Sequence, residues 1–372
     1  MSVSKIKISL LLLVIALATS ACSVSTTSSG DKTAVDSSVF LSTDSGSTWR
    51  PMVSIPSTEG RPQTISDINV NSITMDPQDS LALYLASFDR GLFYTYNIAN
   101  GWNKAAGLPE TTVNAVQVDP NNKCLIYAAV ANRLYRSNDC TRTWGKDGLY
   151  VDNDPSVSVN TIAIDHYNTS NIYIGTSRGE IIKSIDGGHS WRTIQKLDEG
   201  VTSLIISPLD SRLIFVATAN NHIFSFSSNT DTNPGNSADV EKNFLVDNWT
   251  DLDDVLGDYD LGSNFKDLII GARDGYMFLA TSKLILRSPD NGITWENLKL
   301  ITPEKDSIIN AIAVNPQDSK EICYVTNTNF FRSIDGGATW STKNLPTKRA
   351  GRELLIDFAS PNIIYLGTVK LK

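Results

Sequence analysis

Histidine and cysteine are scarce in this chain of 372 residues, which contains three histidines and four cysteines. His166, His189 and His222 share no metal-ligand spacing, so the sequence predicts neither a zinc site nor a histidine base. There is no Cys-x-x-Cys pair, phosphate-binding loop or dinucleotide fingerprint. We therefore expect no metal and no other cofactor.

Positive charge and long apolar runs are also in short supply. The chain has 32 Lys and Arg against 40 Asp and Glu, a formal net charge of −8. Because nucleic-acid binding rests on neutralising phosphates with Lys and Arg, this balance argues against a nucleic-acid partner. The one long apolar run, residues 8–18, is too short for a stable membrane span.

The N-terminus has the features of an export signal. Lys5 and Lys7 precede the apolar run, and Thr19-Ser20-Ala21-Cys22 resembles the lipobox of bacterial lipoproteins. The resemblance implies cleavage before Cys22 and its acylation, whereas the alternative is an ordinary secretory signal with an unrelated cysteine. We expect three parts: a signal peptide over 1–21, a flexible Ser/Thr-rich tether over 22–36 and a folded domain over 37–372.

A lipid anchor on Cys22 would hold the exported chain at the bacterial cell envelope. Because Ser23, not Asp, follows that cysteine, the outer membrane is favoured in a Gram-negative host, facing the periplasm or the surface. An oxidising compartment suits the remaining cysteines. A hairpin turning near residues 131–132 would place Cys124 and Cys140 close enough for a disulfide, and Cys323 lies in an apolar strand as a buried thiol.

One motif recurs along the chain. The pattern Ser-x-Asp-x-Gly-x-Thr-Trp, called the box from here on, occurs intact at 42–49, 288–295 and 333–340. Residues 184–191 have Ser for Thr, 137–144 lose the Gly, and 95–102 keep only the spacing. We interpret the conserved box residues as structural: Asp44, Trp49, Asp139, Trp144, Asp186, Trp191, Asp290, Trp295, Asp335 and Trp340.

The spacing of the boxes counts the repeats. They start at residues 42, 95, 137, 184, 288 and 333, and the interval from 184 to 288 is about twice the others. The seventh tryptophan, Trp249, lies in that interval, so we infer one further unit whose box is replaced by a longer loop. Each unit contains four short strand-like segments, as at 159–165, 171–176, 180–184 and the segment that opens at Trp191. Seven such units are typical of a β-propeller.

The two ends of the chain complement each other. Residues 353–358 and 362–368 look like the first two strands of a unit, and residues 39–41 and 49–52 like its last two. Pairing them would complete a blade and leave no open sheet edge. The sequence thus predicts an all-β, seven-bladed propeller with four-stranded antiparallel blades, closed by its N- and C-terminal strands, and we expect a monomer.

The boxes and the four-strand units resemble those of the Asp-box (bacterial neuraminidase repeat) propellers over residues 38–370. That superfamily includes sialidases, xyloglucan-cleaving glycoside hydrolases, sortilin-like receptors and the photosystem II stability/assembly factor group. The resemblance implies the propeller fold. It leaves the function open, because enzymes and binding proteins share the box.

Two functions remain from the residues. Glycoside hydrolysis requires two carboxylates about 5–10 Å apart, and acidic residues are frequent at 251–260. However, only Gly60-Arg61-Pro62 resembles the N-terminal Arg-Ile-Pro element of sialidases, and the tryptophans belong to the scaffold. We therefore expect a non-enzymatic envelope lipoprotein that binds a protein partner, with a glycan-active or glycan-binding propeller as the alternative.

The expected partner surface is the face that carries the turns between second and third strands together with the links between blades. We call it the link face, and the opposite face, with the boxes, the box face. Resemblance to photosystem assembly factors implies an arginine-rich link face, whereas the alternative is a set of scattered, solvated arginines. The candidate partner-binding residues are Arg90, Arg133 and Arg178 in turns, and Arg349 and Arg352 in a link.

Overall fold

A computed structural model describes residues 35–57, 63–146, 148–228, 244, 246–262, 264–302 and 308–371. The expected export signal, Cys22 and residues 23–34 of the expected tether lie outside the described residues, as does Arg61. Within the described part, no helix has both the length and the apolar character needed to cross a bilayer.

Short antiparallel strands make up the fold, as expected for an all-β chain. The first four are β1 (Val39–Ser42), β2 (Arg50–Pro51) and the small hairpin β3 (Ser54–Ile55) and β4 (Gln63–Thr64). Blade 1 contains β5 (Val70–Asp76), β6 (Asp79–Ser87), β7 (Leu92–Thr95) and β8 (Asn103–Lys104), with a 3-10 helix at Ile98–Asn100. Blade 2 contains β9 (Val113–Asp119), β10 (Asn122–Val130), β11 (Arg133–Ser137) and β12 (Tyr150–Val151).

The next three blades repeat this order of strands. Blade 3 contains β13 (Val159–Ile164), β14 (Ile172–Thr176), β15 (Glu180–Ser184) and β16 (Arg192–Lys196). Blade 4 contains β17 (Val201–Ile206), β18 (Leu213–Thr218), β19 (Ile223–Ser228) and β20 (Val246–Asp251), followed by the short helix α1 (Asp253–Leu256). Blade 5 contains β21 (Phe265–Ile270), β22 (Met277–Thr281), β23 (Ile285–Ser288) and β24 (Glu296–Asn297).

The last two blades complete the ring. Blade 6 contains β25 (Ala311–Val314), β26 (Ile322–Val325), β27 (Asn329–Ser333) and β28 (Ser341–Asn344). Blade 7 begins with β29 (Ala350–Ile356) and β30 (Ile364–Val369), and the N-terminal strands complete it in the order β2-β1-β30-β29. The seven blades and the closure by the chain ends confirm the predicted fold.

Each first strand contacts the first strands of the two neighbouring blades, so these seven strands surround the central channel. Apolar side chains are buried between consecutive blades, in one hydrophobic cluster for each of the seven interfaces that the described residues form. The second strands contribute most to them. Burying one large apolar side chain stabilises a fold by about 2 kcal/mol. Because every interface contains several such side chains, the stabilising burial is distributed around the whole ring.

The five best-matching boxes form one hydrogen-bonded turn. In the first, Ser42 Oγ donates to Asp44 Oδ1 and accepts the Gly46 N–H, both at 2.8 Å. Asp44 in turn accepts the Thr48 N–H at 2.8 Å and its hydroxyl at 2.7 Å. The same bonds recur around Asp139, Asp186, Asp290 and Asp335.

Box residues also contact the preceding blade. Gly46 has a φ of 84°, and a Cβ at this position would collide with the ring of Phe330 in blade 6. Trp49 packs edge-on against the same ring, with centroids 5.4 Å apart. Trp191 Nε1 donates to the carbonyl of Leu149 in blade 2, and Trp340 Nε1 to that of Lys299, which follows blade 5. The most frequent motif of the chain therefore holds blades together.

Blade 4 lacks a box, as the long repeat interval indicates. Residues 229–243 and 245, between β19 and β20, lie outside the described residues. Trp249 on β20 stacks on Phe224 and Phe226, with centroids 5.3 and 5.4 Å away. Aromatic stacking on β19 thus holds this outer strand in place of a box turn.

A disulfide joins Cys124 and Cys140 in blade 2. It lies at the box without glycine, where Cys140 and Thr141 both adopt positive φ, 56° and 65°. A positive φ is unfavourable for residues other than glycine. The disulfide stabilises the fold and so offsets this unfavourable backbone conformation. Cys323 is a buried free thiol on β26.

Replacing Asp335 with Ala should lower the melting temperature at neutral pH, because the turn loses both bonds to Thr339. Those bonds lower the pKa of Asp335 to about 2, against about 4 in an unfolded chain. The stabilisation is therefore present above about pH 4 and is lost as the pH falls toward 2. Thermal unfolding from pH 7 to pH 3 should show the difference shrinking, and Asp258→Ala, an exposed residue outside any box, should have no such effect.

Removing the disulfide should destabilise the fold. The double variant Cys124→Ala, Cys140→Ala frees a link across a sequence separation of 16 residues, which corresponds to about 3 kcal/mol of unfolding free energy. Urea unfolding measures this loss, and a reducing agent should bring the native chain to the same midpoint as the variant. A native chain whose midpoint ignores the reductant would contradict it.

Candidate interaction face

The link face is formed by short turns that strands hold on both sides. Arg178 lies in the turn between β14 and β15, where its Nη2 atom is 2.7 Å from Glu180 Oε2 and 3.2 Å from Asp152 Oδ2. Asp152 is nearly buried, whereas the side chain of Arg178 is 38% exposed. The group links blade 2 to blade 3 and presents one edge of a guanidinium to solvent.

Two other candidate arginines lie in neighbouring blades. Arg90, in the turn between β6 and β7, is 3.5 Å from Asp67, and both side chains are more than half exposed. A pair in this setting contributes little to stability, so Arg90 is available to a partner. Arg133 begins β11, opposite Val151 of β12, and is half-buried.

Arg349 corrects one prediction, because it does not face solvent. It is 3% exposed and lies under the junction of the chain ends. Its guanidinium donates to Thr368 Oγ1 at 2.9 Å, to Asn69 Oδ1 at 3.1 Å and to the carbonyl of Ile68, and it pairs with Asp36 at 3.4 Å. All of its donors are directed at the ring closure, so Arg349 is structural.

Arg352 is also displaced from its expected position. It belongs to β29, the inner strand of blade 7, and not to a link. Its Nη2 donates to Asn71 Oδ1 at 3.2 Å, and its guanidinium lies over the ring of Phe88 at 5.6 Å. The five arginines therefore do not form one basic patch. Arg90 and Arg178 both reach the surface, and each is paired with an acidic residue.

Sequence reasoning missed a second group on the link face, centred on His222. Its Nδ1 is 3.3 Å from Glu199 Oε2, and its Nε2 is 3.6 Å from Asp253 Oδ2. Glu199 comes from the link before blade 4, His222 from the turn between β18 and β19, and Asp253 from α1. Their separation in sequence is large and irregular, so no motif reveals them.

The two carboxylates differ in their electrostatics. Burial opposes ionisation of Glu199, but hydrogen bonds from Asn220 and Thr218 outweigh it and lower its pKa. Burial raises the pKa of Asp253, and Asp251 and Glu199 add repulsion. Two acids with opposite shifts on either side of an imidazole can hold and pass a proton or bind a ligand hydroxyl.

Shallow grooves lie on both sides of His222. One, of about 320 Å³, is lined by Lys196, Asp198, Glu199 and Phe224. The other, of about 370 Å³, is lined by Asp253, Tyr259 and Asp260. The imidazole fills the space between the carboxylates, so a scissile bond can lie there only if His222 moves. The described residues contain no set of three acidic, histidine or cysteine side chains placed to hold a metal ion.

Comparison with known proteins identifies relatives of the fold. No family model matches the sequence. An alignment over 77 residues is 38% identical to a xyloglucanase of Hypocrea jecorina (strain QM6a) and covers 16% of this chain and 9% of that protein. The chain thus spans a small fraction of the length of this curated relative.

Solved structures with the same fold include a xyloglucanase and YCF48. The GH74 xyloglucanase from Xanthomonas campestris has a TM-score of 0.58 at 15% identity, over 78% of this chain and 49% of that one. YCF48 bound to D1 peptide has a TM-score of 0.56 at 15% identity, over 82% and 94%. YCF48 from Cyanidioschyzon merolae has a TM-score of 0.57 at 12% identity, over 84% and 97%. At these identities the likeness shows a shared β-propeller fold.

Proposed function

We propose that this propeller is a non-enzymatic scaffold or assembly factor that binds a protein partner through its link face. The observation that carries the proposal is the group of Arg178, Asp152 and Glu180, which fixes charged donors and acceptors at the junction of two blades. Because Arg178 is paired with both Asp152 and Glu180, little conformational freedom is lost when a partner binds. Arg90, further round the same face, adds an exposed cation.

The comparisons support this choice over an enzyme. The fold match extends over 94% of the YCF48 chain that was solved with a peptide, but over 49% of the Xanthomonas campestris xyloglucanase. The link face carries both positive and negative side chains, so it suits a partner segment that contains both acidic and basic residues. The five box turns further support placing the chain in the Asp-box group.

We further propose that the protein works at the bacterial cell envelope, anchored through an acylated Cys22 and favouring the outer membrane. The sequence pattern before Cys22 supports the anchor, and the disulfide in blade 2 suits an oxidising compartment. Labelling with a palmitate analogue, with Cys22→Ala as the control, tests this directly. Label that remains in the variant would contradict the anchor.

Changing the link-face arginines should weaken partner capture strongly. With the anchored protein crosslinked in its host and the products identified by mass spectrometry, one envelope complex should be recovered. Arg90→Glu and Arg178→Glu reverse charges at the proposed contact and should reduce its recovery about tenfold or more, as expected for centrally placed charged contacts.

Arg212→Glu is the matched control. Arg212 is exposed and paired with Asp210 in the turn between β17 and β18, on the box face. Arg90→Glu is the most informative variant, because losing an exposed ion pair should leave the stability of the fold unchanged. Thermal unfolding of the variant checks this. Equal recovery with Arg90→Glu, Arg178→Glu and Arg212→Glu would remove the link face as the binding surface.

A glycan-active or glycan-binding propeller is the second candidate, favoured by the His222 group. Glu199 and Asp253 stand on opposite sides of the imidazole with oppositely shifted pKa values, and grooves open next to both. The segment that is 38% identical to a xyloglucanase supports the same reading.

Reducing-end release from xyloglucan and from sialylated oligosaccharides separates the two functions. The scaffold proposal expects no release by the purified protein. Release that disappears in Glu199→Gln and in Asp253→Asn, but persists in Asp258→Asn, would overturn the scaffold proposal and establish the second function. Isothermal titration with the same sugars checks for binding without cleavage.

A further inference from the structure

One of the two grooves beside His222 is lined by a buried side chain whose acceptor has no donor. This groove, of about 370 Å³, lies between the β18–β19 turn and the loop that follows α1. We call it the Asn221 groove, after a residue that lines it and is only 1% exposed. Its polar lining consists of Asn220, Asn221, His222, Asp253, Tyr259 and Asp260.

The amide of Asn221 is held in one orientation. The residue has a φ of 70°, and its Nδ2 donates to the carbonyl of Gly262, another residue of the groove wall, at 2.8 Å. That bond identifies the other atom of the amide as the oxygen. Among the described residues, Asn221 Oδ1 is buried and accepts no hydrogen bond. Because buried polar atoms normally have partners, an unpaired acceptor at a groove indicates that a ligand supplies the donor.

The side-chain donors around this groove are already directed at protein acceptors. The hydroxyl of Tyr259 donates to the carbonyl of Trp295 at 2.5 Å, and Asn220 Nδ2 donates to Glu199 at 2.8 Å. The two ring nitrogens of His222 lie 3.3 and 3.6 Å from carboxylate oxygens. A ligand that needs hydrogen-bond donors from the protein would therefore have to displace one of these interactions.

Negative charge is in excess at the same place. Asp260 is paired with Lys283 at 2.8 Å, so its charge is compensated. The side chain of Asp253 is 34% exposed, and the nearest cationic group is the imidazole of His222, which it shares with Glu199. Burial raises the pKa of Asp253, which agrees with a carboxylate that lacks a full counter-charge.

These properties select one class of ligand. An ammonium group has three donors, no acceptor and a positive charge, so it matches a groove with a free acceptor and an uncompensated carboxylate. A carboxylate offers only acceptors, and a sugar hydroxyl also needs a donor. Leu256 and Leu261 line the groove as well, and they suit the methylene groups that carry such an ammonium.

We propose that the Asn221 groove binds a protonated primary amine, with Asn221 Oδ1 and the carboxylate of Asp253 as its acceptors. The amine is supplied either by a lysine side chain of a protein partner or by a free alkylamine. The site does not involve Arg90 or Arg178, so partner capture through those arginines can fail without affecting it.

Amide NMR spectra of the purified protein, titrated with n-butylammonium, test the proposal. The ammonium should shift the resonances of residues 220–222 and 253–262 in a saturable way. The same concentrations of n-butanol, which has the same length and no charge, and of acetate should not. No saturable shift with n-butylammonium, or equal shifts with n-butanol, would overturn the proposal.

Two variants and a matched control assign the acceptors. Asp253→Asn removes the charge with little change of shape, and Asn221→Gly removes the free acceptor while tolerating the positive φ. Each should weaken n-butylammonium binding about tenfold, as expected for loss of a charge-assisted hydrogen bond. Asp254→Asn removes the same charge from an exposed residue of α1 that does not line the groove, and it should bind as the native chain does.

Thermal unfolding checks that each variant is folded. Equal weakening by Asp254→Asn and Asp253→Asn would show general attraction to an acidic surface, and native binding by Asn221→Gly would show that its oxygen is satisfied by water alone. Either result would contradict the proposed site.

A pair of capped peptides identifies the source of the amine. Gly-Lys-Gly should bind, whereas Gly-norleucine-Gly, which lacks the ammonium, should not. Tighter binding of the lysine peptide than of n-butylammonium would assign the groove to a partner's lysine, and tighter binding of n-butylammonium would assign it to a free amine. Equal binding of the two peptides would overturn the proposal.

Discussion

The pairing of β1 with β30 is the interaction on which the rest of the structure depends. Val39 lies opposite Gly367 and Ser42 opposite Ile364, so the first strand of the domain becomes the third strand of its last blade. A sheet ring without this pairing would expose two edges and one interface. The guanidinium of Arg349 reinforces the closure by donating hydrogen bonds to Thr368, Asn69 and Ile68. Both faces and the channel acquire fixed geometry from that ring.

The ionisation of the box aspartates affects the stability of the closed ring. The box aspartates are held ionised by Ser and Thr, so the boxes lose strength in acid. Above about pH 4 the box carboxylates are ionised in both the folded and the unfolded chain, so the boxes contribute their full stabilisation at neutral pH.

Most of the fold could be predicted from the sequence, because each box is contiguous with the strands on either side of it and five copies match closely enough to count the repeats. The complementary ends even indicated the closure. The site was less accessible. Arg349 looked like a surface residue because a link sequence does not show that its side chain turns under the N-terminal strand. Glu199, His222 and Asp253 meet only through tertiary structure.

Hydrogen exchange of the backbone amides in Val39–Ser42 is the most direct test of the closed ring. Strand β1 lies between β30 and β2, so these amides should exchange as slowly as those of Ile364–Val369. They should also exchange much more slowly than those of Ser341–Asn344 on the outer edge of blade 6. Exchange of Val39–Ser42 at the rate of that outer strand would show that the ends are not stably paired, and the closed ring would have to be abandoned.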